Sequence, residues 1–177
     1  MADIETATRA YLRAKLEEDF LVYEDWQGRH MHGGEYVKYD LVLQPRPHLV
    51  ERGFDNGFFV IEVKLFNTTD KMKHDTKAKD LLWKCISYSF SEIVLSAGAL
   101  EKPLFVLYYI GGNGFDQVYE DDLNFLHHFV QRGGVGRLDI HPKYGWIIKF
   151  GGTNYFRKTT GKGPHHVGTK RQVGSSR

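Results

Sequence analysis

The chain has 177 residues, 41% of them hydrophobic and 26% charged, which is one ordinary domain with enough apolar content for a core and excludes a disordered or fibrous protein. Its one cysteine, Cys85, rules out an intramolecular disulfide framework and a cysteine-rich zinc site. The net charge is only +2, yet it is unevenly spread. Residues 1–56 carry seven basic and eleven acidic side chains, whereas residues 141–177 carry eight basic groups and no acid. A basic end on an acidic body suits a polyanion partner, or else is a solvated tail.

Helical spacing of Ile4, Ala7, Tyr11 and Ala14 predicts a first helix over residues 3–18. Phe20 to Trp26 reads as a first strand, and the glycines and histidines of Gln27 to Gly34 as a turn. Tyr36 to Leu43 is a second strand, stopped by Pro45 and Pro47. Phe58 to Leu65 is the most strand-like run in the sequence. A long amphipathic helix is expected from about His74 to Leu95, with Leu82, Ile86 and Ile93 on one face and Leu81, Cys85 and Tyr88 beside it. Pro103 then leads into a strand over Leu104 to Ile110. That seven-residue run is the longest apolar stretch and falls far short of a membrane span. A shorter helix is predicted over Tyr119 to Gln131, followed by strands near Gly136 to Ile140 and Trp146 to Phe150, continuing through Tyr155 and Phe156. The N-terminus, MADIETATRA, lacks the apolar segment of a secretory signal, so a soluble cytoplasmic domain with no membrane partner is expected. Residues 1–160 form the expected domain, and residues 161–177 an expected basic, disordered tail.

This order gives an α/β fold: three strands in an antiparallel meander, a crossover helix, and a fourth strand free to pair in parallel. A mixed central β-sheet flanked by helices follows.

Within the second and third strands, Asp40 interrupts Tyr39-Asp40-Leu41-Val42-Leu43 and Glu62 and Lys64 interrupt Phe58-Phe59-Val60-Ile61-Glu62-Val63-Lys64. Residues two apart on a strand share a face, so Glu62 and Lys64 project together. Leaving such charges unpaired in an apolar strand costs several kcal/mol, on the order of known desolvation penalties. Two carboxylates on neighbouring strands supply hard oxygen ligands for Mg2+, with Mn2+ as a substitute. A lysine beside the ion, but not bound to it, can position the attacking water or add positive charge at a phosphate. An ordinary Glu–Lys pair on an exposed strand face is the plainer alternative.

These residues, Asp40 in YDLVL and Glu62-Val63-Lys64 in VIEVK, on consecutive strands with a helix on either side, resemble the PD-(D/E)XK nuclease superfamily. The resemblance covers about residues 3–110 and includes the αβββαβ order of the restriction-endonuclease-like core, here with added C-terminal strands. It implies a mixed four-stranded core sheet, metal-dependent cleavage of nucleic acid, and the main-chain carbonyl of Val63 as a further metal ligand. Tyr39 stands where the name motif has proline. Several branches carry Gln-x-x-x-Tyr on the helix after the third strand; here the spacing survives as Lys84 and Tyr88, with lysine replacing glutamine. Lys84 can face the scissile phosphate, or it can pair with Asp80 on a solvated helix face. The superfamily often adds a carboxylate from the first helix. Of Glu5, Glu17 and Glu18, Glu5 is the preferred candidate, though a first-turn acid is also stabilised by the helix dipole. Glu35 is an odd number of residues from Asp40 and falls on the other face.

Gly111-Gly112-Asn113-Gly114 lacks the Lys-Ser/Thr of a nucleotide-binding loop and reads as a turn. His30 and His32 belong to a loop, and His127 and His128 diverge by about 100° on a helix. Lys149, Arg157 and Lys158, with Tyr88, are the candidate nucleic-acid contacts, although the aromatics among them, Phe150, Tyr155 and Phe156, suit a final core strand better. The expected function is a metal-dependent DNA endonuclease with Asp40, Glu62, Lys64 and Lys84 as catalytic residues. The alternative is a domain of the same fold that binds nucleic acid or protein without cutting; an RNA nuclease is a third possibility. One catalytic centre cuts one strand, so a double-strand cut requires a homodimer or higher oligomer.

Overall fold

The computed structural model describes residues 4–66, 71–111, 134–151 and 153–163. Helix α1 (Ile4–Leu16) is followed by β1 (Phe20–His30), β2 (Tyr36–Pro45), a short α2 (Pro47–Glu51) and β3 (Phe59–Leu65). Helix α3 (Lys71–Ser89), β4 (Ser91–Val94), β5 (Leu100–Glu101) and β6 (Phe105–Gly111) come next, then β7 (Gly136–His141), β8 (Gly145–Phe150), β9 (Thr153–Arg157) and β10 (Gly161–Lys162). All ten strands join one mixed sheet in the order β10-β9-β8-β7-β6-β3-β2-β1-β4-β5. Strands β1, β2 and β3 pair antiparallel, and β6 is parallel to β3 across the α3 crossover, as the strand and helix order predicts. No described helix is long and apolar enough to cross a membrane.

Alternation along the strands divides the core in two. On one side α1 lays Leu12 and Leu16 over Leu41, Ile61, Leu107 and an aromatic group of Phe20, Phe54, Trp146 and Phe156. On the other, α3 covers Val42, Val60 and Tyr108 with Leu81, Cys85 and Tyr88. Phe150, Tyr155 and Phe156 are buried, as their placement on a final strand predicts. A shift of register between Ile148 and Lys149 makes Tyr155 the extra residue of a bulge, so that Tyr155 and Phe156 both reach the core.

Several boundaries differ from those expected: β2 includes Pro45, α3 begins at Lys71, and the short α2 and β5 are additional. Strand β1 runs on to His30 instead of stopping at Trp26, and the turn shrinks to the few residues before Tyr36. Gly28 is tolerated inside the strand because the Tyr39 ring lies across it, where a Cβ would come within 2.4 Å. The predicted helix over residues 74–95 ends at Ser89, and Ser91–Val94 instead adds a strand to the outer half of β1. The Ser89 and Ser91 hydroxyls donate to the Cys85 and Tyr88 carbonyls, giving the backbone an alternative to further helix, and β-branched Ile93 and Val94 suit a strand. Gly161–Lys162 forms an edge strand where a tail was expected. The predicted helix over 119–131, Gly112 to Gly114, His127, His128 and residues 164–177 lie outside the described residues.

Asp19 ties the α1 side together. Its carboxylate accepts from Trp146 Nε1 at 2.7 Å, meets His48 Nε2 at 2.9 Å and pairs with Lys158 Nζ at 3.3 Å. Burial opposes its charge, but these partners outweigh burial and hold its pKa below the ordinary value. The stability it contributes is present above its unfolded pKa and is lost as pH falls through the lower folded value. Asp19→Ala is expected to cost about 2–4 kcal/mol in urea unfolding near neutrality, since it strands a buried indole N–H and a cation. The cost should shrink in acid; a pH-independent cost would contradict the charged role.

Candidate active site

The site lies where β2 and β3 part. Their ladder holds at Leu43↔Phe59, Val42↔Val60 and Leu41↔Ile61 and is not continued at Asp40. On β1, between the pairs Glu24↔Leu41 and Trp26↔Tyr39 and so at the level of Asp40, Asp25 takes a left-handed φ of 53°. The Val63 N–H, which a continued ladder would have bonded to backbone, donates instead to Asp40 Oδ2 at 2.8 Å. Asp40 is thereby fixed by one oxygen, and its Oδ1 is left facing Glu62 and Lys84.

Glu62 is completely buried. Tyr88, one helical turn after Lys84 on α3, has its hydroxyl 2.9 Å from Glu62 Oε2 and 2.8 Å from the Lys38 carbonyl oxygen. Lys84 Nζ stands 3.0 Å from Glu62 Oε1 and 4.0 Å from Asp40 Oδ1. Lys84 is thus the partner of Oε1, and its charge and contact both favour the ionised carboxylate. Burial, and next the charge of Asp40, push the Glu62 pKa up to about 8 despite Lys84. Burial also opposes the Lys84 ammonium, but Glu62 and Asp40 outweigh it and raise its pKa.

The hydrogen bonds agree with a protonated Glu62. One phenolic proton cannot serve both Glu62 and the Lys38 carbonyl. If Glu62 carries a proton it can donate to the Tyr88 oxygen, and Tyr88 can donate to Lys38. Tyr88→Phe breaks this chain at both ends and is expected to cost about 1–3 kcal/mol in urea unfolding, the usual penalty for stranding buried polar groups. An unchanged midpoint would contradict that chain.

The structure brings Asp40, Glu62, Lys84 and Tyr88 together. Lys64 projects from the Glu62 face of β3, with its ammonium 3.6 Å from Asp80 on α3. The alternative Asp80–Lys84 pair is therefore replaced by Asp80–Lys64 and Lys84–Glu62. Tyr88 is buried among these groups and is not a surface contact for nucleic acid. Glu5 does not join the two carboxylates: it pairs with Arg9 at 3.0 Å, although its charge contributes to the raised pKa of Lys84. Lys149 shares the sheet face of Glu62, since Glu62, Tyr108, Arg137 and Lys149 are partners in consecutive registers. Its ammonium pairs with Asp139 at 2.7 Å. Arg157 lies opposite Ile147 on that face, with its Nε buried and unbonded. Lys158 is taken up by Glu18 and Asp19 on the α1 side.

Sequence reasoning missed Arg9, Asp25 and Lys38. Asp25 accepts from Arg9 at 2.9 Å and pairs with Lys38 at 2.8 Å, and the charge of Asp40 is felt at Arg9. Their only signal is the hairpin register that sets Asp25 level with Asp40, which is invisible before the turn is placed. Among the described residues no three His, Cys, Asp or Glu side chains converge on one point. The two carboxylates still fit a hard divalent cation: Glu62 Oε1 and Asp40 Oδ1 both face one cation, the Lys84 ammonium, and Mg2+ takes few protein ligands, with waters and phosphate completing its shell. No family model, curated protein or solved structure matches the chain.

Proposed function

We propose that the chain is a metal-dependent nuclease of the restriction-endonuclease-like fold, hydrolysing DNA phosphodiester bonds as an endonuclease. The observation that carries this reading is the fully buried Glu62 carboxyl held beside Asp40 around a single cation, Lys84. Two carboxylates set close together, one of them fully buried, cost on the order of several kcal/mol and mark a candidate functional site.

Asp40 Oδ1 and Glu62 Oε1 would hold Mg2+ or Mn2+, and the resemblance adds the Val63 carbonyl. When bound, the ion supplies Lewis-acid polarisation of the phosphate and a more acidic water. The chain's own residues do the rest. The Val63 N–H and the Tyr88 hydroxyl each fix one oxygen of a carboxylate and leave the other aimed at the centre. Lys84 brings positive charge to the place where charge builds on the phosphate oxygens. Lys64, two residues beyond Glu62 on the same face, is suited to orient the attacking water.

Cleavage of single-stranded or supercoiled DNA with Mg2+, absent with EDTA and absent in Asp40→Asn, is the expected result; equal cleavage by Asp40→Asn would refute it. A non-cutting binder of nucleic acid draws support from the same Lys84, whose ammonium already compensates the two carboxylates. Tight DNA binding with no heat of Mg2+ binding would favour that second reading.

A further inference from the structure

Trp83 is the residue of α3 immediately before Lys84. Its indole is 69% exposed, whereas Trp146 is fully buried and Trp26 is half-buried with its N–H bonded to the Val94 carbonyl. A large aromatic left in water on a rigid helix forgoes the burial that the other two tryptophans obtain. The core side of α3 is set by Leu81, Cys85 and Tyr88. At 100° per residue Trp83 points almost opposite to them, and Lys84 lies between it and the core. The indole therefore stands on the solvent side of the cation that reaches Glu62. Phe90, 47% exposed, directly follows the last residue of α3 and is in ring contact with His32 from the β1–β2 turn. Of the lysines of α3, exposed Lys79, four residues before Trp83, lies on the same side as the indole, whereas Lys77 donates to the Leu65 carbonyl.

Resting on the nuclease reading of the neighbouring site, we propose that Trp83 stacks on an unpaired base of a DNA strand laid along α3, so that the preferred substrate is single-stranded or locally unpaired next to the scissile phosphate. Lys79 and Lys84 complement the strand's charge, and the indole supplies the sequence-tolerant stacking surface of single-strand binders. Stacking selects against intact duplex for a geometric reason. Both faces of every internal base in a duplex are covered by its neighbours, so an indole fixed to a helix can reach a base face only where pairing or stacking is broken.

The test uses the full chain in EDTA with a labelled poly-dT strand and a blunt duplex, read by anisotropy and by tryptophan fluorescence. Native protein should bind poly-dT with quenching of its emission. Trp83→Leu should lose the quench and bind poly-dT about tenfold more weakly, with duplex binding unchanged, while Trp83→Phe retains most of the affinity. Unchanged poly-dT binding by Trp83→Leu, equal weakening on both DNAs, or no binding of poly-dT by native protein would overturn the proposal. So would a self-association of the native chain that Trp83→Leu abolishes without affecting poly-dT. Hydrolysis is tested apart from this, by adding Mg2+ and comparing Glu62→Ala. Trp83-dependent binding without cleavage leaves the stacking role and removes the nuclease; Mg2+-dependent cleavage indifferent to Trp83 does the reverse.

Discussion

Glu62→Gln is expected to make the metal-free protein more stable above pH 8 and at the same time to abolish its binding of Mg2+. The folded protein holds the Glu62 proton up to about pH 8, whereas the unfolded chain releases it near 4.5. Between those values the folded state binds the extra proton, so the stability of the native chain falls as pH rises through that window. Above it the cost is complete. At about 1.36 kcal/mol per pKa unit the scale is a few kcal/mol, reduced by any relaxation around the carboxylate. Glutamine has the same shape with no charge to desolvate, and its amide can donate to the Tyr88 oxygen while Tyr88 donates to the Lys38 carbonyl. In urea titrations with EDTA the gain should be absent near pH 4 and grow towards pH 9. A difference that does not change with pH would show that Glu62 is not held protonated. Metal binding needs the ionised carboxylate, so the affinity of native protein for Mg2+ in calorimetry should rise with pH up to about 8, and Glu62→Gln should give no heat.

Lys84→Met is expected to raise the affinity for divalent cations while lowering cleavage. The Lys84 ammonium sits 3.0 Å from Glu62 Oε1 and 4.0 Å from Asp40 Oδ1, the two oxygens assigned to the metal. Two unit charges 4 Å apart interact by about 4 kcal/mol at an effective dielectric of about 20, so an ion entering beside Lys84 must overcome a sizeable repulsion or displace it. Methionine keeps the length of the side chain without the charge, and Mg2+ affinity should increase by more than about tenfold. Cleavage should nevertheless drop by about 100-fold or more, the usual loss when a charge-stabilising group is taken from a reacting phosphoryl or acyl centre. Weaker Mg2+ binding in Lys84→Met would instead mean that the lysine organises the carboxylates and does not compete for them.

Much of this arrangement was legible in the residues because it rests on strand periodicity. Glu62 and Lys64 on one face, Asp40 on the strand before, and a parallel fourth strand all follow from a period of two and the need for a crossover helix. Elements whose limits depend on distant partners were not legible. Strand β4 reads as more helix until the outer half of β1 provides a ladder for Ser91–Val94, and β1 looks shorter until the Tyr39 ring covers Gly28. At the site, spacing brought Lys84 and Tyr88 to notice and set Tyr88 beside the apolar face, but it centred that face on Leu82 and Ile86, which are only half-buried. Tyr88 turns inward to Glu62 because it shares the α3 face of Leu81 and Cys85, and Lys84 lies at that face's edge. The Asp19 anchor was hidden because a carboxylate in an acidic run looks solvated; only the arrival of Trp146 and Lys158 from the end of the sheet makes it buried.

The most direct test is to incubate supercoiled plasmid with native protein and with Glu62→Gln, in Mg2+, Mn2+ or EDTA, and follow nicked and linear products. A hydrolytic centre at Asp40 and Glu62 predicts metal-dependent nicking by native protein and none by the glutamine variant, which remains folded and is the more stable of the two at high pH. Nicking by Glu62→Gln at the native rate, or nicking that persists in EDTA, would contradict it.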